Sequence, residues 1–180
     1  MSTHLVNVPL NELRTNDEQV LGSEHPVDGK VYRWVKNLGS TALTAGAPAL
    51  LAFTGCTTAS ILHKVIAPSG AGAATAVVTQ PVGAAVTAIA ASGASTGDHG
   101  WIQVDGPASI IQQQLTTALG AGSFSIASSA LDAAWASNYS NTADSATQAN
   151  LYAMKAELLK PVATTGAATA VAALAYIHCK

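Results

Sequence analysis

Short blocks rich in β-branched and aromatic residues recur along this chain, each closed by Gly, Pro or Asn. The clearest is Val31-Tyr32-Arg33-Trp34-Val35-Lys36, which lies between the turn formers Asp28-Gly29 and Asn37-Leu38-Gly39-Ser40. Comparable blocks predict strands over 49–53, 61–66, 75–80, 85–90, 100–104, 123–127 and 171–177. Gly and Pro punctuate them at intervals suited to a sandwich or barrel. Two stretches favour helix formers instead, 129–137 and 148–159; the second carries apolar residues at 151, 154, 158 and 159. The predicted fold is mainly β: an antiparallel β-sandwich or barrel with one or two short helices.

Composition adds an N-terminal arm. Residues 1–26 hold no sustained helical or strand period and contain Pro9 and Pro26. Nine of the eighteen charged residues fall between Glu12 and Lys36, and no alanine precedes Ala42. The expected organisation is a segment over 1–26, either an extended arm ordered against a neighbour or a disordered tail, and a single β-rich domain over 27–180. On that reading the arm can be deleted while the domain stays folded. A six-residue match, 72–77 with 166–171, is too short in so Ala-rich a chain to argue duplication.

Only 10% of the residues are charged while 49% are apolar, against roughly 25% charged in ordinary domains. Such a chain does not have the composition of a disordered one. With a net charge of −2 it also offers no electrostatic footprint for nucleic acid or acidic lipid. The uncharged run between Lys64 and Asp98 is made of small residues and broken by Pro68 and Pro81, so it does not read as a membrane span. No basic start or apolar leader opens the sequence. A surface so poor in charge suggests one covered by identical subunits or by a larger assembly.

Candidate chemistry is sparse. Gly93-Ala94-Ser95-Thr96-Gly97 fits a nucleophile-elbow pattern, and Asp98 and His99 follow directly. An elbow needs its acid and base from elsewhere in the fold, whereas here all three sit on one turn entering a strand. The expectation is a loop, with a serine hydrolase using Ser95 as an alternative. The histidines, at 4, 25, 63, 99 and 178, match no zinc spacing, and Gly70-Ala-Gly72 and Gly120-Ala-Gly122 lack the rest of a phosphate loop. No metal or cofactor is expected. Cys56 and Cys179 are too few for a disulfide framework and read as buried thiols. Trp34 and Trp101, each on a strand, read as core or interface anchors.

The run Gly29-x-Val31-Tyr32-Arg33-Trp34-Val35-Lys36-Asn37, then Ala42-Leu43-x-Ala45-Gly46, resembles the opening of small structural proteins encoded among tailed-phage head genes. A Gly/Ala/Thr-rich stretch and the strand Gly100-Trp101-Ile102-Gln103-Val104-x-Gly106 extend the resemblance over residues 27–106, and 163–179 is similar more loosely. Residues 126–160 depart from the pattern. The resemblance implies a non-enzymatic capsid decoration (cement) protein, homotrimeric, made in the host cytoplasm and seated on the outer shell where major capsid protein subunits meet. Arg14, Arg33, Lys36, Trp34 and Trp101 are then the candidate contacts to the capsid or a neighbouring subunit. A receptor- or glycan-binding virion component is the rival from another class.

Overall fold

The computed structural model describes residues 9–15, 20–51, 64–66, 81–113, 124–127, 135–136, 156–160 and 170–179. Among them the chain is mainly β. The strands are β1 (Glu24–Val27), β2 (Lys30–Asn37), β3 (Pro48–Leu51), β4 (Lys64–Ile66), β5 (Pro81–Ala85), β6 (His99–Gln113), β7 (Phe124–Ala127), β8 (Trp135–Ala136), β9 (Ala156–Leu158) and β10 (Ala170–His178). They follow the order β1-β2-β4-β3-β5-β6-β10-β9-β7-β8, with further pairings of β6 to β2 and to β8. Pairing is antiparallel except between β2 and β4 and between β6 and β8. The result is an open, sandwich-like arrangement.

β6 organises it. The first half of this fifteen-residue strand pairs with β2 from Lys36↔His99 to Val31↔Asp105, and with β5 at Ala84↔Gln103 and Ala85↔Ile102. The second half pairs with β10 from Asp105↔His178 to Gln113↔Ala170. The change of partner falls beside Gly106, whose φ is +95°. β1 and β2 form a two-residue hairpin on Asp28 (φ 50°) and Gly29 (φ 75°), the pair of positive φ values that a type I′ turn demands.

Both faces of β2 and of the first half of β6 carry buried residues. One face joins the main core, in which Val35, Leu43, Val65, Ile89, Ile102, Val104, Ile110, Trp135 and Ile177 are fully enclosed. The other face carries Tyr32, Trp34 and Trp101, covered by Leu10, Leu21 and Val86. Leu10 and Leu21 come from the 1–26 segment, so its described part lies on its own chain. Arg14 pairs with His99, and Gly22 and Ser23 bond to the Trp34 backbone. Residues 24–26 already belong to β1.

Neither helical stretch is helical where it is described. Within 129–137, Trp135-Ala136 is strand, and within 148–159, Ala156–Leu158 is strand. Pairing supplies the reason. Trp135 sits against Gln112 in β6 and is fully buried, while Ala156–Leu158 is bonded between β10 and β7. Tertiary contact outweighs helix propensities that differ by only tenths of a kcal/mol per residue. The strand expected at 85–90 falls earlier, at Pro81–Ala85, and residue 89 keeps only an isolated bridge to Leu43. The strand expected at 75–80 and Cys56 lie outside the described residues.

Gly46 joins the two halves. Its N–H donates to Ala85 O, its carbonyl accepts from Ile111 N and from Trp135 Nε1, and its φ is +78°. A Cβ there would stand 3.1 Å from Ile111 N and 3.2 Å from Ser109 O. Gly46→Ala is therefore expected to lose about 2 kcal/mol, from the left-handed backbone and the crowding of β6 together. Urea denaturation measures it, and an unchanged midpoint would show that the junction tolerates a side chain.

Candidate functional site

The densest group of polar and aromatic side chains stands where the 90–98 turns feed β6. Two successive turns, closed by Ala94 N to Ala91 O and Gly97 N to Ala94 O, lift Ser95 into solvent and return the chain at Asp98. Asp98 is buried. Its Oδ1 lies 2.6 Å from His99 Nδ1, its Oδ2 accepts from Gly93 N at 3.0 Å, and Lys36 Nζ stands 3.8 Å from Oδ2. Its backbone carbonyl accepts from Asn37 N. Asn37 is itself enclosed and satisfied: Nδ2 donates to Thr41 O and Ala90 O, and Oδ1 accepts from Gly39 N. These bonds fix the turn against the end of β2.

The His99 ring is almost wholly buried and stacks under Trp34, with centroids 6.4 Å apart and planes 24° apart. Trp34 meets Trp101 edge-on at 5.1 Å, and Trp101 meets His25 edge-on at 5.2 Å. The cross-strand register explains this column. Trp34 faces Trp101 and Lys36 faces His99 on adjacent strands, which places alternate side chains on one face. Trp34 Nε1 is buried with no hydrogen-bond partner among the described residues.

Burial opposes ionisation of Asp98 and is the largest single influence on it. The Gly93 N–H, the His99 charge, Lys36 and the His99 hydrogen bond together outweigh burial and hold the carboxyl below its ordinary value. A carboxyl depressed in the folded state adds stability that is complete above its unfolded value, about 3.9, and is lost as pH falls through the folded value. Asp98→Asn is thus expected to be less stable than the natural chain at pH 7, with the gap closing as the pH falls below about 4. Paired urea midpoints at pH 7 and pH 3 test it. A gap that stayed constant would assign the loss to packing alone.

The five sequence candidates are placed as follows. Trp34 and Trp101 have 0% exposure in a single chain, so their rings have no surface to offer a neighbour. Arg33 donates from Nε and Nη2 to Glu24 Oε1 at 3.0 and 2.6 Å, and only 11% of its side chain is exposed. Arg14 lies 2.5 Å from Glu12 with 32% of its side chain exposed, and Lys36 faces Asp98 with 31% exposed. The structure gathers Lys36, Trp34 and Trp101 into one cluster and leaves Arg33 on the β1 side.

Sequence reading singled out Asp98 and His99 beside Ser95 without foreseeing their mutual contact, and missed the part played by His25. The available signal was an acid directly before a strand-opening His, which is common in ordinary turns. Chemically, the pair is a carboxylate-held imidazole. Its ring is closed in beneath Trp34, while Ser95 stands on the exposed side of the turn. Among the described residues no group of three or more His, Cys, Asp or Glu could hold a metal ion, and no helix is long and apolar enough to cross a membrane. Comparisons with protein-family models, with curated proteins and with solved structures found no match.

Proposed function

We propose that this chain is a structural virion protein that decorates and stabilises a tailed-phage capsid, acting as a homotrimer at junctions between major capsid protein subunits. The observation that carries the reading is the charge-poor outer face of β10 and the second half of β6, bordered by Asp105 opposite His178 and by Glu157 opposite Tyr176. Ala172, Leu174 and Tyr176 stand there beside Ile111, Ser109 and Pro107, their cross-strand partners. None carries charge, all are at least partly exposed, and Leu159 and Leu174 are among the exposed large apolar residues. Together with a 10% charged composition, this is a surface suited to subunit contact. The resemblance of residues 27–106 to head-gene products supplies the setting.

A decoration protein holds a shell closed against outward pressure. Many modest, symmetry-repeated contacts achieve this, because each attachment raises the effective concentration of the next. Of the charged candidates, Arg14 and Lys36 keep enough exposure to add polar contacts to the capsid.

The test is light scattering after size exclusion, followed by co-sedimentation with expanded, undecorated heads. A mass of about three chains and saturable binding are expected. A monomer that stays in the supernatant would overturn the proposal. The second reading, a serine hydrolase using Ser95, has a carboxylate-held imidazole in Asp98–His99 but a buried ring and an exposed serine, an arrangement that counts against it. Fluorophosphonate labelling at Ser95 would revive it, and complete inertness at that residue would remove it.

A further inference from the structure

The N-terminal segment meets the sheet through two separate attachments. Residues 9–15 are held at Arg14, whose N–H donates to His99 O at 3.2 Å and whose carbonyl accepts from His99 N at 3.0 Å. Residues 20–23 are held at Trp34, where Gly22 N donates to Trp34 O at 2.8 Å and Trp34 N to Ser23 O at 3.1 Å. Because each attachment has its own hydrogen bonds, loss of the first does not break the second.

Beneath the first attachment lies a slot floored by glycine. A Cβ on Gly97 would come within 2.9 Å of Leu13 Cβ and 3.0 Å of the Arg14 backbone N and O. One on Gly100 would come within 3.1 Å of Leu13 Cδ2 and 2.8 Å of Ile89 Cγ1. Leu13 therefore occupies room that exists because two side chains are missing, and the bridge to His99 sets its register. Main-chain bonds that hold, plus one apolar recess that selects, make an acceptor for a single extended peptide.

We propose that this slot is exchanged between copies: in the assembled protein, residues 10–14 of one copy lie in the slot of a second copy. The occupant is fixed by what the slot fits, which is this chain's own Leu13-Arg14. The hold is one antiparallel bridge and the packing of Leu10 and Leu13, and the same contacts made between chains are equally favourable. What favours the chain's own segment is tethering, worth an effective concentration in the mM range for a short linker. Copies packed around a symmetry axis supply each other's segments at comparable local concentration, and exchange then links subunits without any new kind of contact. The inference rests on the self-assembly proposed above for the presence of neighbours.

The experiment uses the full chain with p-benzoylphenylalanine replacing Leu10, whose side chain packs beside the Tyr32, Trp34 and Trp101 cluster. Light and nitrogen-15-labelled forms are unfolded together, refolded, irradiated and digested. Links from the segment to the β2 or β6 peptides are expected to include mixed-isotope pairs, approaching about half of such links when exchange is complete in a randomly mixed ring. Leu13→Ser is expected to lower their yield several-fold. Same-isotope links alone, in material whose light-scattering mass is oligomeric, would overturn exchange and leave self-assembly standing. Same-isotope links in a monomer would overturn both. Mixed links undiminished by Leu13→Ser would show the segment crossing at some other place, and would overturn the slot.

Discussion

Removal of residues 1–26 is expected to lower the stability of the folded chain by about 5 kcal/mol, summing lost apolar burial and strand pairing. Three half-buried leucines go. Leu10 and Leu21 cover Tyr32, Trp34 and Trp101, and Leu13 packs on the main core. Each contributes about 1 kcal/mol by burial. Most of β1 goes too, and with it the register Glu24↔Arg33 to Pro26↔Val31 and the carboxylate that holds Arg33. Two indole rings with no exposure would then face water. Because whole domains are stable by only about 5–15 kcal/mol, the truncated chain should be marginal. Urea denaturation followed by tryptophan emission reads this directly: a red-shifted native spectrum and a much lower midpoint are expected. A truncated chain with the original midpoint and emission would show that the segment is a removable arm, as its lack of periodicity implies.

Trp101→Ala is the point substitution expected to do most harm, about 4 kcal/mol. The ring has 0% exposure, stands directly across from Trp34, and touches His25 edge-on. Aromatic truncation in a packed core removes about 3–5 kcal/mol, and the aromatic pairing adds to that. Trp34→Phe makes an informative comparison. The Trp34 indole N–H has no hydrogen-bond partner among the described residues. The smaller ring thus gives up packing without giving up such a bond, and a loss of about 1 kcal/mol is expected. Equal losses for the two substitutions would mean that the column is not packed as described.

Much of the sheet is legible in the sequence. The blocks at 31–36, 100–104, 123–127 and 171–177 correspond to β2, the start of β6, β7 and β10. The Asp28-Gly29 turn is legible for a stated reason, since few dipeptides accept two positive φ values. The misplacements have physical causes. Pro81 reads as a breaker, yet it opens β5 as the first residue of a strand, a position where proline is tolerated. The strand expected over 100–104 is too short, because β6 runs on through Gly106-Pro107 while its partner changes from β2 to β10. The stretch around 135 carries no period and that over 148–159 only a partial helical one, and distant pairing decides both. The Asp98–His99 cluster was the least legible, because it depends on β2 bringing Lys36 and Trp34 across from sixty residues away in sequence, roughly the distance that single-sequence patterns cannot span. Trp34 and Trp101, read as core or interface anchors, are fully buried within one chain, covered by Leu10 and Leu21 of its N-terminal segment and by Val86.

The division of β6 between two partners has a consequence for synthesis. Its first half can pair with β2 soon after residue 105 leaves the ribosome, because β2 has been made already. Its second half must wait until residues 170–178 exist, since β10 is its partner along nine positions. For the time taken to make some sixty further residues, several seconds at roughly 5–20 residues per second, the nascent chain carries an open strand edge with Ile110 and Ile111 on it. Such an edge invites pairing with the same strand on a neighbouring nascent chain. Crowded polysomes should therefore be where this protein is lost to aggregation, and slower decoding before residue 100 would not help, whereas faster decoding between 113 and 170 would.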